Sequence, residues 1–152
     1  MGTLFDTLTT KPERRAQVVR DAEKVLEAEV NDKSGFSGLA VKATFKVVKG
    51  LQPGFIPRAV DDLLDDFVRK LEPFWETWRA NRGAVGCKQY FVANGEQVSD
   101  ALLSITDGRA AKTKHAPLKK AYEKLRPTGK EHVLASMPRV GALIERNTAD
   151  LV

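Results

Sequence analysis

The chain has little cysteine, little histidine and no long apolar run, and each absence excludes a class of protein. Cys87 is the only cysteine among the 152 residues, so no intrachain disulfide can form and a disulfide-stapled secreted scaffold is excluded. The two histidines, His115 and His132, leave few ligands for a histidine-based metal site. The most apolar segment, residues 36–56, is interrupted by Lys42, Lys46, Lys49, Pro53 and Gly54. A bilayer-spanning helix needs about 20 mostly apolar residues, so we expect no transmembrane segment.

What is present is typical of a folded globular domain. The composition is 42% hydrophobic and 30% charged, which is unlike that of a disordered chain. The length suits one domain, and a chain of this size buries roughly two-thirds of its unfolded surface without a metal or disulfide staple. The first ten residues lack the basic start and apolar run of a secretory signal. We therefore predict one domain over residues 1–152, located in the cytoplasm.

The strongest periodic signal lies in residues 56–78. Their apolar side chains fall on a single helical arc of about 140°, and the charged residues lie outside it. These apolar residues are Ile56, Val60, Leu63, Leu64, Phe67, Val68, Leu71, Phe74, Trp75 and Trp78. The preceding segment, residues 36–51, has a wider apolar arc and a narrow stripe of lysines. A helix this apolar is normally buried on most sides, so we expect the two segments to pair as a central helical hairpin.

The remaining segments of the chain are also predicted to be mainly helical. Residues 12–30 show an apolar face after a capping pattern at Thr10, and residues 31–35 supply a stop. Residues 87–93 are compatible with a short strand, but the sequence offers no partner strand, so a helix is the better interpretation. A loop is predicted at residues 81–86 and a new helix start at Thr128. The predicted fold is an all-α, compact bundle of about seven to nine helices around the hairpin.

Residues that resemble catalytic or metal sites have simpler explanations. Asp61, Asp62, Asp65 and Asp66 lie opposite the apolar arc, without a histidine at ligand spacing, and are typical of a solvated helix face. Residues 108–113 end in Lys-Thr like a phosphate loop but lack its glycine before the lysine and its preceding strand. We expect Cys87 to be an inert thiol. No catalytic, cofactor or metal site is predicted, and we expect the protein not to be an enzyme.

The net charge of +5 is concentrated in one segment. Residues 101–130 carry eight basic and two acidic side chains, a net charge of +6, so the remainder of the chain nets −1. The basic residues in that segment are Arg109, Lys112, Lys114, Lys119, Lys120, Lys124, Arg126 and Lys130. Clustered cations are typical either of a solvated face or of a surface that binds an anionic partner.

Three kinds of binding function remain open. The first is protein interaction or self-association through surplus apolar surface at Phe74, Trp75 and Trp78. The second is binding of nucleic acid or an anionic membrane surface through residues 109–130, although Tyr122 is the only aromatic there and no docking motif is visible. The third is transport of a small apolar ligand between the helices. Residues 36–55 could also lie on a membrane, because they pair a lysine stripe with an apolar face.

Two short runs carry a family resemblance. Residues 32–42, DKSGFSGLAVK, and residues 52–57, QPGFIP, resemble an uncharacterised family of small all-helical bacterial proteins of unknown function. The similarity covers roughly the first half of the chain. The resemblance implies a small intracellular bacterial protein, and it assigns no activity and no site residues.

Overall fold

The computed structural model describes residues 3–81 and 85–151, which form eight α-helices and a final short 3₁₀ helix. The helices are α1 (Leu4–Thr9), α2 (Pro12–Asp32), α3 (Gly35–Lys49), α4 (Phe55–Ala80), α5 (Cys87–Ala93), α6 (Gly95–Lys112), α7 (Ala116–Ala135) and α8 (Met137–Thr148). The 3₁₀ helix is Ala149–Leu151. The predicted all-α class and helix number are confirmed. Part of the predicted loop at residues 81–86, namely 82–84, lies outside the described residues.

Helix α4 is the centre of the hydrophobic core. Its predicted apolar arc is the buried one, because Leu64, Val68, Leu71, Trp75 and Trp78 all lie inside. It packs on α1, α2 and α6, and the core continues through α5 to α8. The helix continues through its internal proline. A long amphipathic helix with neighbours on several sides therefore organises the fold.

Helix α1 has no counterpart in the sequence prediction. Its start is capped by the Thr3 hydroxyl, which accepts a hydrogen bond from the Asp6 amide at 3.0 Å. The Phe5 amide, one of the free donors of the first turn, donates to Glu72 Oε1 of α4 at 2.8 Å. Leu4 and Leu8 are fully buried. This short helix is thus held by tertiary contacts that its own six residues do not reveal.

The acidic residues of α4 tie two neighbouring helices to it. Arg15 of α2 contacts both Asp61, at 2.9 Å, and Asp65, at 2.7 Å. Arg109 of α6 donates to Asp66 at 2.8 Å and to the carbonyl of Asp62. The side chains of Asp61, Asp65 and Asp66 remain about half exposed, as expected of a solvated face, but they also make ion pairs between helices. In the described part of the chain, Asp62 contributes only its backbone carbonyl.

The prediction that α3 and α4 form the central hairpin is wrong in its choice of partner. Helix α3 packs mainly on α7 and only at its edge on α4. None of its described hydrophobic side chains is fully buried, and Leu39 and Val47 are 66% and 48% exposed. Helix α4 instead packs mainly on α1, α2 and α6. An apolar arc establishes that a helix can be buried but does not identify its partner.

One other helix boundary differs from the prediction. Helix α7 runs through Pro127 and past Thr128, where a new helix was expected. Its middle is held on α6 because Arg126 pairs with Asp107 and Gly129 lies over Leu103. These tertiary contacts offset the hydrogen bond that the proline removes. Residues 87–93 are helical, as predicted.

Candidate anion-binding surface

Three of the eight cations in the predicted basic segment form ion pairs between helices. Arg109 pairs with Asp66 of α4, at 2.8 Å. Arg126 of α7 pairs with Asp107 of α6 at 2.7 Å, and Lys130 of α7 reaches Asp100 of α6 at 3.2 Å. These side chains connect elements of the fold, so they are not freely available to a ligand.

The five remaining cations stay available. Lys112 and Lys114 lie at the connection between α6 and α7, and Lys119, Lys120 and Lys124 lie on α7. All five are exposed, and none pairs with an acidic side chain among the described residues. The predicted basic patch is thus reduced to its lysines.

Helix α3 adds three more lysines from outside residues 101–130. Lys42, Lys46 and Lys49 are exposed and likewise lack an acidic partner in the described part of the chain. Helix α3 runs antiparallel to α7. Lys33, just before α3, acts electrostatically on His132 near the end of α7, while Phe55, beyond α3, contacts the ring of His115 at the start of α7. We call the eight lysines without an acidic partner in the described chain the lysine surface: Lys42, Lys46, Lys49, Lys112, Lys114, Lys119, Lys120 and Lys124. The ammonium of Lys49 also lies over the Phe45 ring.

Two segments without any acidic residue meet at this surface. Residues 33–60 and residues 108–122 each carry five cations and no aspartate or glutamate. They join where the Phe55 and His115 rings pack edge to face with their centroids 6.1 Å apart. The lack of acidic residues in residues 33–60 is visible in the sequence, and it could have identified the α3 lysines as candidate binding residues. Their proximity to α7 required the fold.

Tyr122, the only aromatic residue of the basic segment, is engaged inside the protein. Its hydroxyl donates to Asp107 and lies 2.8 Å from the Thr106 hydroxyl. Burial, followed by the bond to Asp107, raises the pKa of Tyr122, while Arg126 and then Tyr122 lower the pKa of the Asp107 carboxyl. A ring fixed in this way is poorly placed to stack on a base, which nucleic-acid surfaces commonly require.

The predicted interaction surface at Phe74, Trp75 and Trp78 is wrong, because these rings belong to the core. Trp75 is fully buried, Trp78 is 6% exposed, and Phe74 is half-buried against the core. Trp78 also donates from Nε1 to the carbonyl of Val85 at 2.9 Å. Their side chains therefore stabilise the fold and do not form a patch for a partner.

Among the described residues we find neither an activated cysteine nor a cluster of metal ligands. The Cys87 thiol is buried, and burial together with the Glu145 charge raises its pKa to about 12. At neutral pH it is protonated and a poor nucleophile. Among residues 3–81 and 85–151, no group of three or more histidine, cysteine, aspartate or glutamate side chains could hold a metal ion.

An open cleft of about 200 Å³ lies between α2 and α8. Its lining includes four charged residues, Asp21, Lys24, Arg139 and Arg146, beside three small or medium apolar ones. Ligand sites for apolar molecules are enclosed and mostly apolar. This cleft does not match the expected apolar carrier site.

The geometry defines an all-helical protein with a lysine surface made by α3, α7 and the connection before α7. The chain belongs to a family of unknown function, DUF6918, whose sequence model matches residues 4–148. The resemblance seen in the first half of the sequence is therefore confirmed and extends over nearly the whole chain. No curated protein and no solved structure matches the chain significantly. In the described part of the chain, no helix has the length and apolar character needed to span a bilayer.

Proposed function

We propose that this chain is a non-catalytic binding protein of the cytoplasm that contacts an anionic partner through the lysine surface. One observation carries the proposal: the fold brings two acid-free segments together and leaves every lysine in them except Lys33, which pairs with Glu29, without an acidic partner among the described residues. By contrast, five arginines each contact an acidic side chain: Arg14, Arg15, Arg109, Arg126 and Arg139.

Cations that lie beside one another raise the local positive potential where few carboxylates lie among them to cancel it. Glu123 is the one acidic residue between Lys120 and Lys124 on α7. Lysines in this arrangement attract anions over roughly a Debye length, about 8 Å at physiological ionic strength. The proposal therefore predicts binding that weakens steeply as salt is added.

Heparin, a generic polyanion, provides the test. Wild-type protein is compared with a variant of the surface, K112Q/K114Q/K119Q, on a heparin column eluted by a salt gradient. The matched control K24Q/K70Q/K88Q removes the same charge from exposed lysines outside the acid-free segments. We expect the first variant to elute at clearly lower salt than the control. Equal elution of the two variants would show that net charge alone, not this surface, drives retention.

Self-association is the second candidate, because the exposed side chains of Leu39 and Val47 lie on an α3 face that no element among the described residues covers. Light scattering after size exclusion, across a concentration series, tests it. A dimer that disappears in L39S/V47S supports self-association, whereas a strict monomer at high concentration removes it.

A further inference from the structure

The outer face of α3 carries two adjacent rows of different chemistry. Leu39, Ala43 and Val47 follow one another at four-residue spacing, which stacks them along one line of the helix. Leu39 and Val47 are 66% and 48% exposed. The helix also carries Lys42, Lys46 and Lys49, which are exposed beside that line. On the helical wheel the lysine row lies immediately next to the aliphatic row.

A partner that covers this face has to contact both the lysines and the aliphatic side chains. The phosphates of a nucleic acid would bind the lysines but would leave the exposed leucine and valine without apolar contacts. Tyr122 is bonded to Asp107 and is therefore poorly placed to stack on a base. An anionic bilayer offers negative headgroups and, about 5–10 Å deeper, acyl chains. Long lysine side chains reach outward to headgroups while neighbouring aliphatic residues enter the boundary.

We propose that the outer face of α3 binds the surface of an anionic lipid membrane, with the lysine row on the headgroups and Leu39 and Val47 inserted between them. This inference rests on the proposed function and names its partner. Helix α3 lies on the periphery of the fold, so it can lie flat on a bilayer without unfolding the core. The lysines of α7 and of its preceding connection extend the positive surface beside it.

The expected effects follow from the two rows. A lysine near an anionic membrane surface strengthens binding about fivefold, so removing three of them costs roughly hundredfold in affinity. Replacing the two partly exposed aliphatic side chains weakens binding about tenfold. Added salt changes this loss little, because apolar burial is not screened.

The experiment measures co-sedimentation of the full chain with vesicles of phosphatidylcholine alone or with 30% phosphatidylserine, and in parallel its binding to duplex DNA, each at low and high salt. The variants are K42Q/K46Q/K49Q, L39S/V47S and the control K24Q/K70Q/K88Q. Circular dichroism melting checks that all variants are folded. Of the two kinds of vesicle, we expect binding only to those that contain phosphatidylserine, with a large loss in the lysine variant, a smaller loss in L39S/V47S and the control near wild type.

The outcomes separate this inference from the proposed function. Binding to DNA or heparin without binding to either vesicle would overturn the membrane assignment and leave the anionic-partner proposal standing. Vesicle binding that L39S/V47S leaves unchanged would overturn insertion of the α3 face. Absence of binding to vesicles, DNA and heparin alike at low salt would overturn both.

Discussion

Gly141 of α8 lies close against the backbone of α5, and replacing it with alanine tests that packing. An added Cβ would lie 2.9 Å from Lys88 Cα and 3.1 Å from the Lys88 carbonyl oxygen. Both are backbone atoms, so they cannot rotate away. The Lys88 amide also donates to Glu145 Oε2, one turn after Gly141, at 3.2 Å, which holds the start of α5 against α8. The two helices would have to separate to admit the methyl group.

The magnitude follows from two opposing terms. Glycine to alanine in a helix interior normally stabilises by about 1 kcal/mol. Forcing an extra carbon into a packed interface costs about 1–3 kcal/mol, and separation here also loosens the buried side chains of Cys87 and Phe91. We expect Gly141→Ala to lower the free energy of unfolding by about 1–2 kcal/mol.

Gly108 of α6 is the matched control. A Cβ built there meets nothing within 4 Å, so Gly108→Ala should raise the free energy of unfolding by roughly 0.5–1 kcal/mol. Urea unfolding followed by circular dichroism measures both variants. In thermal melts their midpoints should differ by about 5–10 °C for a chain of this size. A Gly141→Ala protein as stable as Gly108→Ala would refute the close contact between α5 and α8.

Three further predictions concern the core and the titratable groups. Trp75→Ala should lower the free energy of unfolding, measured in urea, by about 3–5 kcal/mol because the indole is fully buried. The control Lys70→Ala should change it by no more than about 0.5 kcal/mol, since Lys70 is exposed. Equal changes in the two variants would contradict a tryptophan core. Cys87 should react with a disulfide reagent at pH 8 about a thousandfold more slowly in the native protein than in guanidinium, and a fast native reaction would contradict its burial. Burial, then the charge of Lys33, lowers the pKa of His132, so the unfolded state takes up the proton first. The contribution of His132 is therefore complete above pH 6.5 and is lost as pH falls below it. Between pH 7.5 and 5.5 the wild type should lose more stability than His132→Gln, and parallel losses would contradict this.

The parts of the fold that the sequence predicts best are those set by local pattern. Helix α4 begins and ends within two residues of its predicted bounds because its apolar period persists over six turns. The helix at residues 87–93 follows from the absence of a partner strand. Helix α1 escapes prediction because six residues give too short a period, and its stability depends on Glu72, which is 67 residues away.

The availability of the basic residues could not be predicted for a related reason. Arg109 is neutralised by Asp66, a residue 43 positions earlier, whereas Lys112 three residues later is left free. Charge counts along a chain do not distinguish these two cases. Likewise, the apolar arc of α3 predicts that the helix can be buried, but only the fold shows α1, α2 and α6 occupying the places around α4.

Hydrogen–deuterium exchange of the full chain, with and without phosphatidylserine vesicles, tests the central claim that α3 and the adjoining lysines form the binding surface. Because α3 has no fully buried hydrophobic side chain among those described, its amides should exchange readily in the free protein. With vesicles present, we predict slower exchange in α3 and at the start of α7, and no change in α5 or α8. Protection elsewhere in the molecule with α3 unaffected would contradict the account.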